Sequence, residues 1–299
     1  MICVMVLVFG LASATVFSAG QDLVLGVLED VPGVYAGESD HPGVRVVFRK
    51  EGRDWQAFPS HCPDEQCLKR IPSEYPREVS WTIAFDGRNL GQITGRTPKE
   101  FHFYSHVGLQ EIAGPGSVPV VGERSTEYGG FTDASVYRPL VANSKPYFKD
   151  PESWKVSDLS PDLLKLARQG FRQQFPKLCK SSRQDETKLE RFLYRDEDVK
   201  PVKAYASRKG WAVARLHLPE AIDCDDTEAG FGIDDPWFLV DQQKSAKYLD
   251  AGMWLVEACD YDGDGKSELL FSIDRYNRGG YELFYEDFTK RVVFEFSYH

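Results

Sequence analysis

Apolar and polar residues alternate with a period of two through most of this chain, and glycines interrupt the alternation at short intervals. The segments Val44-Arg45-Val46-Val47-Phe48 and Trp55-Gln56-Ala57-Phe58 flank Lys50-Glu51-Gly52-Arg53, which predicts two strands and a hairpin turn. Val79, Trp81, Ile83 and Phe85 share one face of a second strand, and Asp86-Gly87 turns it into residues 90–93. A third hairpin joins 203–207 to 211–218 across Lys209-Gly210, and a fourth joins 269–273 to 281–285 across 277–280. Such recurrence predicts a mainly β fold of antiparallel hairpins. Their uneven spacing leaves β-propeller-like units, a β-sandwich or irregular β architecture as alternatives.

The period changes to that of a helix at one place. Ser160-Pro161-Asp162 supplies an N-cap, a proline at the first helical position and an early acid, and Leu164, Ala167, Phe171 and Phe175 form one apolar seam that Pro176 ends. Lys165, Arg168 and Arg172 lie opposite and read as a solvated face. Residues 177–200 are strongly charged, with a second short helix expected over 186–194. Residues 114–151 are rich in Gly, Pro, Ser and Tyr without lasting periodicity and read as long loop with at most short strands. The chain therefore divides into an N-terminal segment 1–20, a β region 21–146, a helical insertion or linker 147–200, and a second β region 201–299; the β regions form one domain or two.

With 299 residues, 42% of them hydrophobic and 13% aromatic, there is material for one large β core or two smaller ones. Residues 1–20 carry no charge, and Ala12-Ser13-Ala14 or Phe17-Ser18-Ala19 offers small residues for cleavage. The segment reads as a signal peptide of a secreted or periplasmic protein. The missing basic start leaves an N-terminal membrane anchor as the alternative. Export permits disulfides, and Cys62 and Cys67 in a Pro-rich polar loop are the pair expected to bridge; zinc on C-x4-C with His61 lacks a second ligand pair. Cys259 closes an apolar strand and reads as a buried small hydrophobe.

Net charge is −10, and residues 221–287 alone hold 17 Asp and Glu against 5 Lys and Arg. That field disfavours nucleic acid and anionic membrane surfaces as partners and leaves a protein or a carbohydrate.

Within the acidic stretch, Asp260-Tyr261-Asp262-Gly263-Asp264-Gly265-Lys266-Ser267-Glu268 carries a recognisable chemistry. Alternating aspartates in a tight turn converge their oxygens, the two glycines permit the turn, and the repulsion among the acids calls for a hard cation. The D-x-D-x-D-G opening is shared with the EF-hand, but position twelve, where that loop needs a bidentate Glu, is Phe271, and the flanks read as strands rather than helices.

In residues 251–285 this strand, loop and strand resembles the calcium loop of FG-GAP and VCBS-type repeats, known from integrin-like β-propellers. The resemblance implies Ca²⁺ held by Asp260, Asp262, Asp264 and Glu268 with the backbone carbonyl of Lys266. One copy is present.

Two further constellations are weaker. His102 and His106 stand four apart on an expected strand without the Glu of H-E-x-x-H, and Asp223, Asp225, Asp226 and Glu228 read as an exposed acidic loop. No nucleophile elbow, P-loop or dinucleotide fingerprint occurs. Two functions follow as expectations: an exported, calcium-stabilised β protein with a binding or structural role, or an exported hydrolase with a loop-built site.

Overall fold

Period-two alternation becomes antiparallel strand, and strand accounts for 50% of the described residues against 12% for helix. A computed structural model describes residues 22–31, 41–61, 64–98, 106–114, 118–119, 121, 139–181, 189–224, 233–241 and 245–297. The segment expected to be a signal peptide lies outside them. Among the described residues no helix is long and apolar enough to cross a membrane.

The first seven strands are β1 (Val24–Val31), β2 (His41–Glu51), β3 (Asp54–Ala57), β4 (Val79–Phe85), β5 (Arg88–Gly95), β6 (Leu109–Ala113) and β7 (Leu140–Asn143). They pair in the order β1-β7-β4-β5-β6-β2-β3, and β1 also pairs β2 along its whole length, so six of them close into a barrel. Closure removes the free edges that an open sheet would leave. Trp81 on β4 fills the interior: its Nε1 donates to Gln110 Oε1 on β6 at 2.8 Å, and its ring reaches Gly26 on β1. Gly95 leaves room for that bond, since a Cβ there would stand 2.0 Å from Gln110 Oε1.

Three open sheets follow. Strands β8 (Lys155–Val156), β9 (Leu178–Ser181), β10 (Leu189–Arg191), β11 (Lys200–Ala206), β12 (Ala212–His217), β13 (Ile222–Asp223), β14 (Trp237–Val240) and β15 (Ala246–Tyr248) form a five-stranded sheet, β15-β14-β12-β11-β8, and a three-stranded one, β10-β9-β13. The last, β16-β17-β18-β19, is a simple meander of β16 (Met253–Cys259), β17 (Glu268–Arg275), β18 (Arg278–Tyr285) and β19 (Lys290–Ser297).

Side-chain alternation stacks these sheets into layers. On β18, Tyr281, Leu283 and Tyr285 join the barrel's core, whereas Phe284 turns the other way to meet Trp237 and Leu239 of β14. On β14, Phe238 and Val240 face instead the helix α2 (Pro161–Gln174), packing with Ala167 and Phe171. The order is thus barrel, four-stranded sheet, five-stranded sheet, helix. Both middle sheets are covered on two faces, which is why inner strands such as β14 and β17 are buried on both sides rather than alternately. A polar tie crosses the first junction: Glu29 of β1 accepts from Arg45 Nε at 2.5 Å and from the Tyr281 hydroxyl at 2.6 Å.

The helix begins where expected, with Ser160 capping Leu163 N. Its basic face is not simply solvated: Arg168 Nε donates to the Val199 carbonyl at 3.0 Å and Arg172 pairs with Asp196. The helix expected over 186–194 is overturned for 189–191, which form β10, because pairing with β9 replaces local helical bonds there. Cys67 lies not in loop but in a short helix, α1 (Glu65–Arg70), whose start Asp64 caps by accepting from Cys67 N at 2.8 Å.

Cys67 is disulfide-bonded, and Cys62 lies outside the described residues. A second disulfide, Cys179–Cys224, ties β9 to the residue after β13. Disulfides of this kind belong to an oxidising, non-cytosolic environment. Cys259 is free and buried, as its strand position implied.

Glu282 of β18 is fully buried and turned toward the charges of Arg291, Asp250 and Arg275. Its Oε1 accepts from Arg291 at 3.0 Å, and Oε2 has no hydrogen-bond partner among the described residues. Burial pushes its carboxyl up to about 7, with Arg291 opposing the shift and Asp250 adding to it. A carboxyl whose folded value is raised adds stability that is complete below its unfolded value and is lost as pH rises through the folded one. Stability should therefore fall between about pH 4.5 and 7 by an amount on the order of 1–3 kcal/mol that Glu282→Gln lacks. Thermal unfolding of both proteins at the two ends of that window measures it, and identical pH slopes would refute the assignment.

Candidate metal site

The acidic loop runs from the end of β16 to the start of β17, and Asp260 organises it. Its Oδ1 accepts from Gly263 N at 2.7 Å and Asp264 N at 3.0 Å, and its Oδ2 from Gly265 N at 2.9 Å. Asp262 Oδ1 accepts from Asp264 N at 3.1 Å, and Asp264 Oδ1 from Lys266 N at 2.8 Å. Gly263 and Gly265 take φ of 79° and 89°, the left-handed region that side chains resist. At Gly263 a Cβ would also press on the Tyr147 ring at 3.0 Å.

This winding gathers three of the expected side-chain ligands. Oxygens of Asp260, Asp262 and Glu268 all lie within 4.8 Å of one another. Asp264 stands outside that group and is exposed, and the Lys266 ammonium is paired with Asp287 at 2.6 Å.

Glu268 is the unusual member. It is 2% exposed, takes a hydrogen bond from Tyr261 N at 2.7 Å, and forms no ion pair among the described residues. Burial pushes its carboxyl up to about 9, reinforced by the negative charges of Asp262, Asp260 and Asp264 and opposed by the Tyr261 amide. Asp260 is raised as well, by burial first and then by Asp262 and Asp264, against the pull of the Gly265 and Gly263 amides. Buried carboxylates facing one another with no counter-charge beyond the single Lys50 ammonium at Asp262 are costly. A hard cation with oxygen ligands removes that cost, so the donor set fits the group it was expected to hold.

The loop is clamped by residues that its own sequence does not announce. Asp260 N donates to the Lys149 carbonyl at 2.9 Å, Ser267 Oγ to Asp150 Oδ1 at 2.7 Å, and Asn143 Nδ2 at the end of β7 to the Tyr261 carbonyl at 2.9 Å. Tyr261 is fully buried, with its hydroxyl on the Glu257 carbonyl at 3.2 Å. Lys50 of β2 meets Asp262 directly.

The other expected constellations fall largely outside the described residues. His106 is buried, while His102, Asp225, Asp226 and Glu228 lie outside the described residues. Sequence reasoning passed over two cavities. One of about 410 Å³ adjoins the loop's anchors and is lined by Asp86, Lys149, Asp150, Trp154, Tyr205 and Glu257. Another, of about 450 Å³, is lined by Arg215, Asp234, Asp235, Trp254 and Asp274. Burial raises the carboxyls of Asp234 and Asp274 there, and Asp235 holds His217 Nδ1 at 2.6 Å. No family model, curated protein or solved structure matches this chain.

Proposed function

We propose that the chain is an exported β protein stabilised by calcium, with a structural or binding role toward a protein or carbohydrate partner. The ion sits on Asp260, Asp262 and Glu268, joined by Asp264 and the Lys266 carbonyl as the resemblance to FG-GAP and VCBS-type loops implies. The observation that carries this reading is Glu268: a carboxyl buried to 2% exposure, facing two further carboxylates within 4.8 Å and lacking an ion pair among the described residues. When bound, calcium supplies the missing positive charge. The chain's own residues do the rest: Asp260 holds the loop amides, Ser267 and Asn143 fix the loop to the 143–150 segment, and Tyr261 seals it from below. Export accords with the uncharged N-terminal segment and with Cys179–Cys224.

Calorimetric calcium titration tests the proposal. The wild type should bind one ion and Glu268→Gln should bind at least about tenfold more weakly, the step that 1.4 kcal/mol represents. A wild type that takes up no calcium in the millimolar range would dispose of it.

An exported hydrolase is the second reading, favoured by the cavity in which burial raises the carboxyls of both Asp234 and Asp274 beside Trp254. Hydrolysis of a glycoside or ester that Asp234→Asn and Asp274→Asn each abolish would establish it; activity surviving both changes would reject that cavity.

A further inference from the structure

Lys50 and Asp262 are 212 residues apart, one at the end of a barrel strand and the other inside the acidic loop, yet they form an ion pair whose side chains are 15% and 6% exposed. Among the three gathered carboxylates, Asp262 is the one with this partner, and Asp260 and Glu268 form no ion pair among the described residues. The ammonium also lies over two aromatic faces, 5.1 Å from the Trp55 ring centre and 5.6 Å from that of Tyr285. Lys50 is therefore held from several sides at the margin of the loop.

An ammonium at a carboxylate oxygen does part of what a metal ion does, because it neutralises one of the converging charges. The two cannot share that oxygen at contact distance: a calcium ion coordinated there needs the same lone pairs, and two cations so close repel strongly where water is scarce. We propose that Lys50 is a tethered counter-cation that competes with calcium for Asp262, locking the metal-free loop to the barrel and setting the calcium concentration at which the loop fills. This inference rests on the calcium reading above. As the ion enters, the ammonium withdraws onto Trp55 and Tyr285, whose π faces attract a cation without offering a lone pair that calcium requires. Lys50 thus keeps a partner in both states. The competition weakens the site toward the millimolar range of extracellular calcium modules.

The test is calorimetric calcium titration of wild type, Lys50→Met and Lys50→Arg. Removing the charge while keeping the length should tighten binding about tenfold, and Lys50→Arg, which keeps the charge, should bind no more tightly than wild type. Equal affinity in wild type and Lys50→Met overturns the competition and leaves the calcium site standing, whereas absence of binding in all three proteins overturns both. Should Lys50→Met be too unstable without metal to titrate, its thermal midpoint is followed as calcium is added. A larger calcium-dependent rise than in wild type supports the proposal, and an equal or smaller rise overturns it.

Discussion

Trp81→Ala should remove about 3–5 kcal/mol of folding stability, the range seen when a large buried aromatic is cut to a methyl group and the surroundings relax only in part. The side chain is fully buried and touches strands two places away on either side, so no single neighbour can move in to fill the space. A second loss adds to the first. Gln110 is fully buried, and its Oε1 would lose the indole N–H that now lies 2.8 Å away, while its Nε2 keeps the Pro76 carbonyl. An acceptor orphaned in this way costs about 1–3 kcal/mol. Since whole domains are stable by only about 5–15 kcal/mol, the variant should stand close to unfolding. Urea denaturation of wild type, Trp81→Ala and Trp81→Phe separates the parts, because Trp81→Phe keeps most of the volume and loses the hydrogen bond. A loss under about 1 kcal/mol for Trp81→Ala would mean that the barrel is not packed around this residue.

Calcium at about a hundred times its dissociation constant should add roughly 2.7 kcal/mol to the wild type, and Glu268→Gln should reverse the pattern. The amide lacks the charge that calcium favours, so at the same calcium concentration the rise falls to about 1.4 kcal/mol or less, the value at ten times the dissociation constant. In the metal-free state the same change helps. It replaces a carboxyl buried to 2% exposure beside two others by a neutral group that can still accept from Tyr261 N and can donate to its acidic neighbours. That relief should raise metal-free stability by an amount on the order of 1–3 kcal/mol. Thermal unfolding with calcium and with a chelator reads both effects. A wild-type midpoint indifferent to calcium across the millimolar range would reduce the loop to an acidic turn. Asp262→Ala is the poorer probe, since it also removes the ion pair with Lys50 and so changes the metal-free state.

Local features were legible in the sequence. The turn at Asp86-Gly87 places Phe85 opposite Arg88, and the turn across Lys209-Gly210 precedes a strand at Ala212, because each turn specifies its own geometry within a few residues. Ser160 and Pro161 marked the helix start for the same reason. What failed depends on distant partners. Strand β10 carries no apolar alternation and exists through its pairing with β9; Leu140–Asn143 is one of the short strands allowed for in residues 114–151, but no local pattern marks its full burial. The loop's acids could be read off directly, whereas Lys50, Asn143 and Asp150 could not, being 212, 118 and 117 residues from the groups they hold.

Those separations bear on the order of assembly. A loop clamped by β2, by β7 and by the 143–150 segment reaches its final geometry only after the barrel has closed and the last sheet has docked on it. Contacts between residues so far apart in the chain carry the largest closure entropy and are made late. The calcium site proposed above is then incomplete in the folding transition state, so calcium is expected to slow unfolding and to leave the folding rate nearly unchanged. On the proposed calcium reading the ion is expected to brake loss of the native state, with resistance to proteolysis as the visible result.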